Sequence, residues 1–243
     1  MADPKDHMPT TTGADTAVST SEDISAFLAK VNAIPRAPRP GGRHGRLVFA
    51  MDATMSRQPT WDRALQIQSQ MFAETAAIGG LDVQLVYFRG FDECRASKWA
   101  STPMALARLM AGIECRGGST QISRVLTHIR REAKAAQVSA AAFVGDAMEE
   151  NIDELCQRAG EIGLLGVPLF MFQEGRDFLA ERAYREIARL TRGAYFRFDA
   201  GSAKLLRELL AAVAVYAAGG VQALADHSRR SQGTARLLLE QLS

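Results

Sequence analysis

The chain has 243 residues, a formal net charge of +2, 47% hydrophobic residues and 23% charged residues. This length can hold one α/β domain of roughly 200 residues or two small ones, and the composition is ordinary for a soluble globular protein. The nearly balanced charge gives no bulk attraction to nucleic acid or to a membrane surface, so neither partner is indicated.

The first 45 residues lack the pattern of a folded core. Residues 1–20 are rich in Thr, Ser, Asp and Pro, and they predict a disordered arm rather than a secretory signal. Residues 21–45 combine a short helix, around "SEDISAFLAKV", with the linker "PRAPRPGGRHGR", whose prolines and glycines exclude regular structure. The folded domain is therefore expected to begin at Arg46.

From residue 46 to residue 217, apolar strands alternate with helices. The predicted strands are "RLVFAM", "LDVQLVYF", "AAAFVG", "GVPLFMF" and "AYFRF", and the predicted helices are Trp61–Ala77, Thr120–Ala135, Asn151–Ile162, Phe178–Thr191 and Ala203–Ala217. Apolar strands separated by long helices indicate parallel pairing with helices on both faces. The stretch "RGFDECRASKWAS" predicts a hairpin to one antiparallel edge strand. The fold class is α/β, with a doubly wound, mostly parallel sheet.

The last segment, residues 218–243, predicts a helical tail. It carries leucines at helical spacing, and the sequence leaves open whether it packs on the domain or on a partner. The uncharged stretch Leu209–Ala225 is too short and too interrupted by glycine to span a membrane. Three scattered cysteines without a C-x-x-C pair favour a reducing compartment, so a cytoplasmic location is expected.

The stretch "LVFAMDATMSRQ" places a carboxylate and two hydroxyls at the end of the first strand. Asp52, Thr54 and Ser56 follow a D-x-T-x-S spacing. Helix capping explains such a cluster about as well as a binding site does, because these residue types satisfy free N–H groups at helix starts. Asp52 nevertheless lies at the carboxyl end of a strand, where open α/β sheets bind ligands.

Two further polar clusters are expected at the same edge of the sheet. "RGGSTQIS" is a glycine turn that opens a helix and carries Ser119 and Thr120, and "FVGDAMEEN" places Asp146 directly after a buried strand. All the candidate ligands are oxygens, which select hard cations such as Mg²⁺, Mn²⁺ or Ca²⁺. A ligand set made mainly of neutral hydroxyls leaves the cation electrophilic and open to a carboxylate from outside.

These three elements, in this order, resemble the metal ion-dependent adhesion site of von Willebrand factor A domains. The resemblance covers about residues 46–217, and Thr54 departs conservatively from the usual D-x-S-x-S pattern. It implies that Thr54 and Ser56 bind the metal directly, that Thr120 binds directly or through water, and that Asp52 and Asp146 act largely through water. Flanking residues would form a partner-binding rim: Arg57, Ser119, Met148, Glu149 and Glu174.

The resemblance also implies a function without chemical turnover. The vacant metal position would receive an Asp or Glu of another protein, and intracellular relatives commonly work beside AAA+ ATPases or other multi-protein machines. The chain is therefore expected to be a metal-dependent adaptor or assembly factor rather than an enzyme.

The alternative is a phosphatase of the haloacid dehalogenase type with Asp52 as its nucleophile. Such enzymes need a second carboxylate two residues later, where this chain has Thr54. They also need a lysine near the phosphate, and Lys134 lies deep within a helical pattern.

Overall fold

The structure, a computed structural model, describes residues 44–57, 68–76, 80–199 and 203–230. The predicted N-terminal arm, most of the predicted segment 21–45, and residues 231–243 of the predicted tail lie outside the described residues. Part of the predicted helix Trp61–Ala77 lies outside them too. Within the described part of the chain, every helix is too short or too polar to cross a membrane.

One sheet of six strands forms the centre of the molecule, in the order β3-β2-β1-β4-β5-β6. Neighbouring strands pair in parallel except β2 and β3, which are antiparallel. The predicted fold class, with its antiparallel edge strand, is confirmed. The strands are β1 (Gly45–Asp52), β2 (Leu81–Arg89), β3 (Glu93–Ala100), β4 (Ala140–Gly145), β5 (Leu169–Glu174) and β6 (Ala194–Phe198).

Helices cover both faces of the sheet. Buried side chains of one face pack with α1, α2 and α6, and those of the other face pack with α3, α4 and α5. Strand β1 is apolar because both of its faces are buried. Phe49 packs on the face covered by α1, α2 and α6, and Val48 packs on the face covered by α3, α4 and α5. The helices are α1 (Gln68–Ala76), α2 (Pro103–Ala111), α3 (Ile122–Ala135), α4 (Ile152–Leu164), α5 (Phe178–Leu190) and α6 (Ala203–Arg230).

Helix α2 is absent from the sequence prediction, although its signals are present. The Thr102 hydroxyl accepts a hydrogen bond from the Ala105 amide at 3.2 Å, and Pro103 occupies the first helical position. Leu106 and Met110, one turn apart, are fully buried. These cap and spacing signals directly follow the predicted edge-strand stretch, in a segment for which the sequence analysis predicts no element.

Helix α6 runs past the predicted end at Ala217. It continues to Arg230 with one break at Gly220, whose φ of 74° is not helical. Leu224 is buried in the core, and His227 Nδ1 lies 3.3 Å from the Glu74 carboxylate of α1. The described part of the predicted tail therefore packs on the domain.

A chain of polar groups, running from the exposed Arg131 to the buried Gln84, joins α3 to the edge of the sheet. The Arg131 guanidinium lies 3.1 Å from His128 Nδ1, and His128 Nε2 lies 2.8 Å from Gln84 Oε1. Gln84 Nε2 in turn donates to the Ser97 carbonyl of β3. A neutral imidazole satisfies this chain, because its Nδ1 must accept from Arg131 while its Nε2 donates to Gln84.

We expect this chain to make stability depend on pH. Burial lowers the pKa of His128, and Arg131 adds to that effect. Below the unfolded pKa of about 6.5, the unfolded chain binds a proton at this ring more readily than the folded chain does. The contribution of His128 to the free energy of unfolding should therefore be fully present above the unfolded pKa. It should decrease as the pH falls from that value toward the lower pKa of the folded protein.

Urea denaturation between pH 7.5 and 5 measures this dependence, with a His128→Gln variant as the control. The variant should lose part of the decrease seen in the wild-type protein. An identical pH slope in both proteins would assign the decrease to other groups.

Candidate metal centre

The candidate ligands lie where the strand order reverses. Strands β1 and β4 are parallel neighbours, with Met51 opposite Val144, and they connect to opposite halves of the sheet. Asp52 is the last residue of β1, and Asp146 directly follows β4. Both carboxylates are therefore carried to the crevice that open α/β sheets use for ligands.

The Asp52 loop is ordered by its own hydrogen bonds. Asp52 is only 1% exposed, and its Oδ1 accepts a hydrogen bond from the Thr54 amide at 2.7 Å. The hydroxyls of Thr54 and Ser56 lie 3.2 Å apart, just before and within a short 3₁₀ turn. Capping thus explains the Asp52–Thr54 contact, but it does not explain the paired hydroxyls.

The Thr120 loop is held against the Asp52 loop through its backbone. The Arg116 amide donates to the Ala53 carbonyl at 3.0 Å, and the Ser119 amide donates to the Gly90 carbonyl at 3.2 Å. Thr120 itself is 7% exposed. These backbone contacts fix the loop without using the side chains of the candidate ligands.

The Asp146 loop is joined to Thr120 by a reciprocal pair of hydrogen bonds. The Glu149 amide donates to the Thr120 hydroxyl at 3.1 Å, and the Thr120 amide donates to the Glu149 carboxylate at 3.2 Å. From the core, the Tyr184 hydroxyl donates to the Ala147 carbonyl at 2.8 Å. The structure thus brings the loops of Asp52, Thr120 and Asp146 together at one edge.

Glu150 and Gln121 support the site, and sequence reasoning missed both. Glu150 accepts from the amides of Ile122 and Ser123 at 2.5 and 2.9 Å, so it caps the start of α3. Gln121 Nε2 donates to the carbonyls of Arg89 and Gly90. Gln121 has non-helical backbone angles, and α3 begins at Ile122 rather than at the predicted Thr120.

The predicted rim residues differ in their accessibility. Glu149 is exposed, and Ser119 and Glu174 are half-buried, whereas the Arg57 side chain lies outside the described residues. Met148 corrects the expectation: it is 7% exposed and packs in the core beside α3 and α4, so it has little surface to offer a partner.

The residues present fit a hard cation. Every candidate donor is a carboxylate or hydroxyl oxygen, and Asp52 places a negative charge in a nearly water-free position that a cation would favour. Within the described ranges, no cluster of three or more His, Cys, Asp and Glu residues could hold a metal ion. A metal bound here would therefore depend on the hydroxyls of Thr54, Ser56 and Thr120.

Solved structures with the same strand arrangement include a von Willebrand factor type A protein from Catenulispora acidiphila. The two share 17% identity and a TM-score of 0.56 over 69% of this chain and 42% of that chain. The chain has the fold of a von Willebrand factor A domain. The SpRpn10 VWA domain is similar with a TM-score of 0.52 and 11% identity, covering 65% of this chain and 89% of that domain.

A third similar structure is an aerotolerance-related membrane protein from Bacteroides fragilis, with multiple mutations to serines. It has a TM-score of 0.50 and 16% identity, over 68% of this chain and 98% of that one. This chain spans less than half the length of the Catenulispora protein. No protein-family model matches the sequence, and no curated protein does. The von Willebrand factor A fold is thus established by structure alone.

Proposed function

We propose that this von Willebrand factor A-like domain binds another protein through a divalent cation. One observation carries the proposal: the buried Asp52 and the paired hydroxyls of Thr54 and Ser56 lie at the switch point of the sheet, next to the loops of Thr120 and Asp146. Three loops held together by hydrogen bonds offer oxygen donors from separate parts of the chain.

The proposed cation is Mg²⁺, with Mn²⁺ or Ca²⁺ as alternatives, because all the donors are oxygens. Thr54 and Ser56 would hold it directly, Thr120 directly or through water, and Asp52 and Asp146 through water. When bound, the cation supplies a positively charged position that a carboxylate can occupy. The Asp52–Thr54 hydrogen bond keeps the two hydroxyls oriented for this role.

The partner that fits this chemistry is a protein presenting an Asp or Glu, since a cation held mostly by neutral hydroxyls retains charge for an incoming carboxylate. We propose binding without chemical turnover, in the cytoplasm, and a subunit of an AAA+ ATPase or another multi-protein machine as the kind of partner. Neither nucleic acid nor a membrane is part of the proposal.

The first test is metal binding by the isolated protein. Titration calorimetry with Mn²⁺ and Mg²⁺ should show one site, and crystals soaked in Mn²⁺ should give an anomalous peak beside Thr54, Ser56 and Thr120. Affinity in the weak millimolar range is acceptable, because the partner's carboxylate is missing. The absence of both the heat of binding and the peak at millimolar metal would contradict the proposal.

A further inference from the structure

A second cleft lies between the edge strand β3 and the helices α3 and α4. Its volume is about 400 Å³, within the usual range for small-ligand sites. Four arginines line it, together with two hydroxyl residues: Arg95, Arg124, Arg131, Arg158, Ser123 and Thr127. Among the residues that the structure describes, no carboxylate lines this cleft.

Three of the arginines contact carboxylates outside the lining. Arg95 Nε donates to Glu93 at 2.9 Å, Arg158 pairs with Glu154 at 2.5 Å, and Arg124 pairs with Asp92. The Arg95 and Arg124 side chains are 68% and 50% exposed, so these surface pairs are weak. An incoming anion can therefore recruit Arg95 at low cost, whereas Arg124 also donates to the Asp92 carbonyl at 2.7 Å and to Gln121 Oε1 at 3.3 Å.

Arg131 has no carboxylate partner within the described part of the chain. Among the described residues, its guanidinium contacts His128 Nδ1 at 3.1 Å, which is a neutral acceptor. Its positive charge therefore has no paired carboxylate there, and the side chain is exposed at the cleft. Like charges gathered around one cavity repel each other, and a bound anion would remove that cost.

Arg158 is held in place before any ligand arrives. Its Nη1 donates to the Thr127 hydroxyl at 2.8 Å, and that hydroxyl donates to the Ser123 carbonyl at 2.8 Å. The guanidinium therefore loses little conformational freedom on binding, which favours affinity. The cleft thus combines two arginines held by hydrogen bonds, Arg158 and Arg124, with the adjustable Arg95 and with Arg131, which has no carboxylate partner among the described residues.

We propose that this cleft binds a phosphate monoester. Several guanidiniums around one cavity suit a dianion with three acceptor oxygens better than a single carboxylate, because each planar fork can bind two oxygens. The phosphate would contact Arg131, Arg158 and Arg95. This proposal concerns a separate site, since none of the candidate metal ligands is among the described residues that line the cleft.

Calorimetry and ³¹P NMR on the full chain test the proposal, with inorganic phosphate and O-phosphoserine as probes. A chelator is present throughout, so that no phosphate binds through a metal ion. We expect one saturable site, and Arg131→Gln and Arg95→Gln should each weaken binding by about tenfold. Tighter binding of phosphoserine points to a phosphorylated side chain as the ligand, and equal affinity points to free phosphate.

The matched control is Arg108→Gln on α2. Arg108 is exposed and donates to the Met104 sulfur at 3.5 Å, and α2 lies on the other face of the sheet from α3 and α4, so this change removes the same charge away from the cleft. Circular dichroism melts verify that all three variants fold. The proposal is overturned if phosphate shows no saturable binding, if acetate binds as tightly, or if the control weakens binding as much as the cleft variants do.

Discussion

Replacing Asp52 with alanine is expected to lower the Mn²⁺ affinity of the protein by about 10–100-fold, the usual cost of losing a group that orients metal ligands. The change removes the carboxylate that fixes Thr54, whose amide donates to Asp52 Oδ1 at 2.7 Å. Thr120→Ala should weaken binding less, because it removes a single hydroxyl. Stability should fall by about 1–3 kcal/mol in each variant, since both side chains are buried and each accepts a hydrogen bond from a backbone amide that would be left without it.

The control for this prediction is Asp82→Ala, which removes a carboxylate from the start of β2. Asp82 accepts a hydrogen bond from Ser101 at 2.5 Å at the opposite edge of the sheet. This variant should bind Mn²⁺ like the wild-type protein. Equal losses in Asp52→Ala and Asp82→Ala would show that the effect is one of net charge.

The Asp52→Ala variant also separates a binding module from an enzyme. In the phosphatase alternative, Asp52 is a nucleophile, and the wild-type protein hydrolyses p-nitrophenyl phosphate or acyl phosphates with Mg²⁺. Hydrolysis that Asp52→Ala eliminates, or beryllium fluoride trapped on the Asp52 carboxylate, would reject the binding module. We expect neither, because Thr54 stands where that mechanism needs a second carboxylate.

The centre of the sheet could be predicted from the sequence because strands β1, β4 and β5 are buried on both faces. Continuous apolar runs such as "AAAFVG" have few other stable placements in a domain of this size, and the helices between them force parallel pairing. The carboxyl ends of parallel strands then meet at one edge. That topological fact, rather than any local signal, placed Asp52 and Asp146 together.

The loop contacts could not be predicted in the same way, because they join residues that are far apart in sequence. Glu150 caps a helix that begins 28 residues earlier, and Glu149 pairs with Thr120 across 29 residues. Neither pair has a periodic pattern. Met148 illustrates the same limit: its neighbours in sequence are exposed or half-buried, yet the chain turns its side chain into the core.

Two adjacent glycines show how closely the Thr120 loop approaches the β2–β3 hairpin. A Cβ atom at Gly118 would lie 2.0 Å from the Gly90 carbonyl oxygen and 2.5 Å from the Gly90 Cα, and both of these are backbone atoms. A Cβ atom at Gly117 would meet nothing within 4 Å. Neither glycine has a positive φ, so the two positions differ in available space and not in backbone strain.

Gly118→Ala is therefore expected to push the Thr120 loop away from the hairpin, whereas Gly117→Ala should leave it in place. The forced shift should lower the free energy of unfolding by about 1–3 kcal/mol. It should also weaken Mn²⁺ binding, since Thr120 follows two residues later and the Ser119–Gly90 hydrogen bond of 3.2 Å would break. Gly117→Ala should keep wild-type affinity and raise the free energy of unfolding by about 0.4–1 kcal/mol, because alanine restricts the unfolded chain. Urea denaturation and Mn²⁺ calorimetry on both variants make the comparison. Wild-type Mn²⁺ affinity in a Gly118→Ala protein of reduced stability would show that Thr120 does not contribute to the metal centre.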